Sequence, residues 1–121
     1  MPHDPDDLAA IQKYANVRIE THGADGTEHR TTIWAVVEGG AVYVRTYQGP
    51  KSRWYREALA RPNVALHVAK RRIPLVAVPA ADAASIEACS VGLSRKYRAS
   101  YSLGAMLRDE VLETTLRLDP A

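Results

Sequence analysis

The alternation of apolar and polar residues predicts short strands in the first half of this 121-residue chain. Residues 17–21 alternate, residues 24–26 supply turn residues, and residues 29–37 resume as an extended β-branched run. Near its end this run is apolar on both faces of the pleat, which predicts a central strand. After the turn at Gly39 and Gly40, residues 41–47 are predicted to return as a third strand.

Three further strands are predicted in the second half. Residues 64–68 and 73–78 form two apolar runs joined by a basic turn at residues 70–72, and Pro74 places the start of the second run at an edge or a bulge. Residues 112–118 have a strand period and are predicted to close the structure.

Helical spacing occurs in three places. Residues 6–14 predict a short helix within an N-terminal arm, residues 1–15. A second helix is predicted to begin at Ser52 as N-cap and to stop at residues 61–63. A longer helix is predicted over residues 83–98, with Asp82 as its cap, whereas residues 100–107 show no clear period.

The combination of about six short strands with hairpin-length connections excludes a regularly alternating parallel architecture. We therefore predict a mainly β protein with two to three helices, built as a small antiparallel barrel. The length suits a single domain over residues 1–121.

The composition limits the classes of binding partner that we expect. The net charge of +2 gives little of the electrostatic field that nucleic-acid binding uses, so nucleic acid is not expected as a partner. The chain has no apolar run of bilayer-spanning length, and its first residues are acidic where a signal peptide is basic. These observations predict no membrane association and a cytoplasmic location.

The strongest local candidate for a binding site is the start of the second helix. The free backbone N–H groups of its first turn, the positive end of its dipole, and the cations of Lys51 and Arg53 converge near Ser52. Arg45 and Thr46, at the end of the preceding strand, add a guanidinium and a hydroxyl. This combination favours an anion such as phosphate.

Two plainer interpretations stay open for the basic residues. Lys51 and Arg53 fit a solvated helix face, on which Arg53 and Glu57 would form an i,i+4 pair worth about 0.3–0.5 kcal/mol. Likewise, the basic turn at residues 70–72 fits either a solvated hairpin turn or a contact with an acidic group of a ligand.

No metal site or hydrolytic site is predicted. The four histidines are far apart in sequence and have no neighbouring cysteine or carboxylate at metal-ligand spacing. His67 is interpreted as a structural or surface residue, and no serine lies in a G-x-S-x-G setting. Catalytic residues therefore stay unassigned.

The run RTTIWAVVEGGAVYVRTYQGPKSRWYREALARPNV, residues 30–64, resembles the core of the split β-barrel flavin-binding superfamily. That superfamily includes the pyridoxamine phosphate oxidases and the deazaflavin-dependent nitroreductases. With WYREALA and the terminal TTLRL, the whole pattern is most similar to a small family of split-barrel proteins of unknown function.

The resemblance implies a split antiparallel barrel that pairs into a homodimer and binds FMN or a deazaflavin. It implies hydride transfer to or from a small organic substrate at the dimer cleft. The alternative is a non-catalytic dimeric barrel that binds another small-molecule ligand or none. By position, Thr46, Lys51, Ser52 and Arg53 would hold a phosphate, Arg30 and Thr32 would approach it, and Trp34 would line the ring pocket.

Overall fold

The computed structural model describes residues 2–121, whose seven strands form one antiparallel sheet. The order across the sheet is β2-β1-β5-β6-β7-β4-β3. The strands are β1 (Val17–His22), β2 (Glu28–Ile33), β3 (Ala35–Glu38), β4 (Ala41–Val44), β5 (Asn63–Val68), β6 (Arg71–Pro79) and β7 (Leu116–Pro120).

Two of the five helices within residues 2–121 have a side-chain N-cap. The Asp4 carboxylate accepts from the Asp6 amide at 2.7 Å at the start of α1, and Asp82 accepts from the Ser85 amide at 3.1 Å at the start of α3. Ser52 holds the predicted N-cap position of α2 but makes no side-chain capping bond. The helices are α1 (Pro5–Lys13), α2 (Arg53–Ala60), α3 (Ala83–Lys96) and the single turns α4 (Leu103–Met106) and α5 (Asp109–Leu112).

The barrel closes through one continuous run of chain. β2 and β3 lie at opposite ends of the sheet order, yet only Trp34 separates them in sequence. The two edges of the sheet are therefore joined at Trp34, and the sheet must curl to allow this. The prediction of a mainly β antiparallel barrel is confirmed.

The prediction of a single central strand over residues 29–37 is wrong. The run bends at Trp34, so that β2 pairs with β1 at one edge and β3 pairs with β4 at the other. Burial on both faces near its end has a different cause. Ala35 faces the barrel interior, whereas Val36 packs in a second cluster beneath α3.

Three further features differ from the sequence predictions. β4 stops at Val44, so Arg45 and Thr46 follow the strand instead of belonging to it. The last strand does not cover residues 112–118, because α5 occupies residues 109–112 and β7 begins at Leu116. β6 is an interior strand, and Pro74 lies opposite Ala65 just before the pairing of β6 with β7 begins.

Apolar side chains form two clusters that fix α2 and α3. The barrel interior buries Trp54, Tyr55 and Ala58 of α2, as the helical spacing predicts. On α3, Gly92 allows a close approach to β3, because an added Cβ would lie 2.9 Å from Cγ2 of Val36. The cluster beneath α3 contains Val36, Tyr43, Cys89, Leu93, Tyr97 and Met106.

Candidate functional site

A cavity of about 470 Å³ opens beside Trp34, where the chain crosses from β2 to β3. Residues 31–34 form one wall, residues 45–48 after β4 form another, and Trp54 of α2 and Met106 of α4 lie on the remaining sides. A volume of this size is typical of sites for small molecules and cofactors. We call it the aromatic cavity, after Trp34, Tyr47 and Trp54.

Trp34 is held in place by Tyr97 of the segment following α3. The two rings are stacked with centroids 3.9 Å apart and planes 4° from parallel. The Tyr97 hydroxyl donates to the Ala15 carbonyl at 2.6 Å, and burial raises the pKa of Tyr97 to about 12. Trp34 therefore presents a fixed surface on the cavity wall.

Arg45 is fully buried and is already bonded within the protein. Its guanidinium donates to the Thr115 and Ser90 hydroxyls at 2.9 and 3.1 Å. It also donates to the Met106 and Ile86 carbonyls at 3.0 and 3.1 Å. These bonds tie the end of β4 to α3, α4 and the segment before β7, and burial lowers the pKa of Arg45. Four of its five N–H donors are used, so we remove Arg45 from the candidate ligand contacts.

The start of α2 is open. The Thr46 hydroxyl accepts from the Gln48 amide at 3.2 Å, and the chain then turns at Gly49 into Ser52. Ser52 is 4% exposed, and its Oγ has no hydrogen-bond partner. No side chain within residues 2–121 accepts a hydrogen bond from a backbone amide in the first turn of α2. Both α1 and α3 have aspartate caps, whereas α2, like the single turns α4 and α5, has no side-chain cap and leaves its first-turn donors open.

Lys51 and Arg53 flank this helix start and are largely exposed. Arg53 is 53% exposed; its Nη2 lies 3.4 Å from Thr31 Oγ1, and its Nε lies 4.0 Å from Glu57. The i,i+4 pair of the plainer interpretation is thus present at the limit of an ion pair. Thr31 lines the aromatic cavity, so Arg53 reaches its rim, whereas Lys51 and Ser52 do not line it.

The other two predicted residues lie on β2. Thr32 lines the aromatic cavity and also a second cavity of about 420 Å³. Arg30 lines only the second cavity, and its Nε donates to Glu28 at 2.7 Å. We call this second space the basic cavity, because it is lined by Arg18, Arg30, Lys70, Arg71 and Arg72.

The eight residues predicted to bind the cofactor therefore lie in three separate places. Four line the aromatic cavity, three lie at the α2 start, and Arg30 lies in the basic cavity. Sequence reasoning missed Asn16, which also lines the aromatic cavity. It also missed Ser102, Ala105 and Met106, because their segment has no clear sequence period. The four that line the aromatic cavity are Thr32, Trp34, Arg45 and Thr46.

A buried carboxylate organises the outer face of the barrel. Glu20 is 3% exposed; it accepts from Arg72 at 2.9 and 3.0 Å, and its Oε1 lies 2.7 Å from Nε2 of His67. The Arg72 hydrogen bonds, with a further contribution from His67, lower the pKa of Glu20 to about 2. His67 therefore has the structural role that its strand position predicts.

Acid should remove the stability that this carboxylate contributes. The pKa of Glu20 is lower in the folded chain than its ordinary value of 4.5, so the contribution is present above about pH 4.5 and is lost as the pH falls towards 2. We expect a loss of roughly 2–3 kcal/mol in the free energy of unfolding. Urea unfolding of the native chain and of Glu20→Gln at pH 7 and pH 3 measures it. The difference between the two proteins should shrink at pH 3, and a constant difference would contradict this assignment.

Glu20, His22 and Glu28 place potential metal ligands within 4.8 Å of one another. However, Arg72 binds both oxygens of Glu20, and His67 binds one of them. A carboxylate neutralised by a guanidinium is a poor metal ligand. We therefore assign no metal to this cluster. Separately, no helix within residues 2–121 is both long and apolar enough to cross a membrane.

Comparisons with known proteins identify the fold. A sequence profile for the family described as "Uncharacterized protein conserved in bacteria (DUF2255)" matches residues 7–118. No curated protein matches the chain by sequence.

Solved structures with this architecture include an F420-H2 dependent reductase, FDR-A, with 20% sequence identity and a TM-score of 0.65, covering 87% of this chain and 94% of the reductase chain. The putative pyridoxamine 5'-phosphate oxidase from Listeria innocua has 14% identity and a TM-score of 0.66, covering 95% and 90% of the two chains. The heme storage protein HutZ from Vibrio cholerae has 16% identity and a TM-score of 0.67, covering 100% and 92%. These likenesses confirm the split-barrel fold.

Proposed function

Because the chain belongs to the family of uncharacterized bacterial proteins DUF2255 and has the split-barrel fold, we propose that it is an oxidoreductase that binds FMN or a deazaflavin. The reaction would transfer hydride to or from a small organic substrate. The proposal takes the cofactor class from the fold neighbours described as an F420-H2 dependent reductase and a putative pyridoxamine 5'-phosphate oxidase.

The open start of α2 is the observation that carries this proposal. The first-turn amides lack a side-chain cap, and Ser52 Oγ is buried without a partner. A phosphate at this position would satisfy these donors and meet the positive end of the helix dipole. Lys51 and Arg53 flank the same point, where their cations would add charge-assisted bonds.

The aromatic cavity fits the ring of such a cofactor. Trp34 is immobilised by its stack on Tyr97 and forms an apolar part of the wall, and the lining also includes the hydroxyl-bearing residues Thr32 and Thr46. Arg53 reaches Thr31 on the rim, which connects the helix start to the cavity. When bound, a flavin or deazaflavin supplies the hydride chemistry itself, so the protein needs mainly to bind, orient and shield it.

Exposed tyrosines around the cavity support a homodimer. Tyr47 lines the aromatic cavity and is 56% exposed, and Tyr101, adjacent to the lining residue Ser102, is fully exposed. Tyr14, on the basic cavity, is 40% exposed. Tyrosine is enriched in protein interfaces. We infer that a second copy covers this surface and completes the cleft.

A titration of Ser52→Ala tests the proposed phosphate contact. The protein should bind FMN or a deazaflavin with a shift of the ligand's absorption spectrum, and Ser52→Ala should bind about tenfold more weakly. The free energy of unfolding without ligand should change by less than about 0.5 kcal/mol, because the hydroxyl makes no bond to lose. A serine that caps a helix would instead cost about 1 kcal/mol.

Ser94→Ala provides the matched control, since Ser94 is exposed on α3 and lines neither cavity. Its affinity and stability should equal those of the native chain. Equal affinity of Ser52→Ala and the native chain would remove Ser52 from the site.

The second candidate function is a non-catalytic dimeric barrel that binds another ligand. The observation in its favour is that Lys51 and Ser52 do not line the aromatic cavity. A folded dimer that shows no spectral change with either cofactor at high micromolar concentration would favour this candidate over the oxidoreductase.

A further inference from the structure

The basic cavity adjoins the aromatic cavity but has a different chemical character. It encloses about 420 Å³, and Asn16 and Thr32 line both spaces. Its walls carry an unusual concentration of cations for a chain whose net charge is only +2. These are the side chains of Arg18, Arg30, Lys70, Arg71 and Arg72, with His67 beside them.

The strand register explains why these residues meet. Arg18 of β1 lies opposite Thr32 of β2 on one side and opposite His67 of β5 on the other. His67 in turn lies opposite Arg72 of β6. The four side chains therefore form one row across the outer face of the barrel, where the pleat directs alternate residues to the same side.

Carboxylates neutralise only part of this charge. Arg30 pairs with Glu28 at 2.7 Å, Arg71 pairs with Asp7 at 3.0 Å, and Arg72 pairs with Glu20 at 2.9 Å. Within residues 2–121, neither Arg18 nor Lys70 has a carboxylate oxygen within 4.0 Å. The cavity therefore has excess positive charge, which a bound anion would compensate.

The turn that carries Lys70 has an unfavourable backbone. Ala69 and Lys70 have φ values of 50° and 68° in the two-residue loop between β5 and β6. The two-residue loop between β3 and β4 has the same left-handed geometry but uses Gly39 and Gly40. Left-handed backbone is unfavourable for residues with a Cβ, so the β5–β6 turn keeps a lysine where glycine would be more stable.

We propose that the basic cavity binds an oligoanionic group, one with several phosphates or clustered carboxylates, beside the ligand of the aromatic cavity. The group has two possible sources, which share this chemistry: an anionic tail on the ring ligand, or a separate anionic substrate. The site goes beyond the proposed function, because it is defined by Arg18 and Lys70 and not by the α2 start.

Tripolyphosphate is the probe, and its affinity is measured by calorimetry at low ionic strength. Arg18→Gln and Lys70→Gly should each bind it about threefold to tenfold more weakly, and added salt should weaken binding to the native chain. Arg98→Ala is the control, because Arg98 is exposed and lines neither cavity. Its affinity should be unchanged.

Lys70→Gly also separates binding from folding. Glycine accepts a φ of 68° without strain, so this variant should have an unchanged or higher melting temperature while its affinity falls. A loss of binding in Lys70→Gly therefore cannot be attributed to unfolding. This measurement needs no ring ligand and stays interpretable if FMN and deazaflavin both fail to bind.

Competition distinguishes the two sources of the anion. The competitor is a deazaflavin that carries an anionic tail. If it displaces tripolyphosphate from the native chain, the anionic group belongs to the ring ligand. Simultaneous binding of the two indicates a separate anionic substrate. The site itself is overturned if tripolyphosphate does not bind at millimolar concentration, or if Arg98→Ala weakens binding as much as Lys70→Gly.

Discussion

Replacing Arg45 with alanine is expected to lower the free energy of unfolding by about 3–5 kcal/mol. The guanidinium is fully buried and bonds two hydroxyls and two carbonyls from α3, α4 and the segment before β7. Truncation leaves a cavity and four acceptors that have lost their donor. Urea unfolding at pH 7, followed by tryptophan fluorescence, measures the loss.

Two further substitutions separate geometry from charge at the same position. Arg45→Lys keeps the cation but has no planar fork to span the Thr115 hydroxyl and the Met106 carbonyl, so it should lose nearly as much stability. Arg45→Met keeps much of the apolar stem and should lose less than alanine. Full stability of Arg45→Ala with weakened cofactor binding would instead return Arg45 to the ligand site.

Arg45 shows why a binding residue and a structural residue can look the same in sequence. A cation at the end of a strand, followed by a glycine turn and a helix, fits an anion site. Its actual partners lie between 41 and 70 residues away along the chain. They belong to α3, to the segment before β7, and to a segment with no clear period, so no local pattern could reveal them.

The bend at Trp34 could not be predicted from the sequence for a related reason. Ile33, Trp34 and Ala35 include no glycine or proline, so local sequence favours continuation of the strand. The bend comes from closing the barrel and from the stack of Trp34 on Tyr97, which is distant in sequence. Tertiary contacts thus override a strong local strand preference.

Features with local causes were predicted well. The Asp82 cap depends on the Ser85 amide three residues away, and the burial of Trp54 and Ala58 follows from helical spacing. Ser52 combines a feature with a local cause and a feature that depends on distant contacts. Its N-cap position was predictable, but its missing capping bond depends on the side chain's buried surroundings, which only the structure supplies.

Replacing both Lys51 and Arg53 with alanine is expected to weaken binding of FMN or deazaflavin by about tenfold to a hundredfold for each charge-assisted bond lost. Each such bond contributes about 1.5–3 kcal/mol. Stability without ligand should change by less than about 0.5 kcal/mol, because the Arg53 side chain is 53% exposed and lies 4.0 Å from Glu57, at the limit of an ion pair. Fluorescence titration and urea unfolding of the same preparations measure both quantities.

The charge-matched control is Arg61→Ala with Arg98→Ala, which removes two exposed cations outside both cavities. Any general effect of net charge on an anionic ligand appears equally in both double variants, so only the excess loss in the first belongs to the α2 start. Equal affinities in the two double variants would place the anionic group elsewhere. Titrating the same cofactor against Lys70→Gly, which changes the basic cavity and leaves the α2 start intact, then decides whether the group lies there.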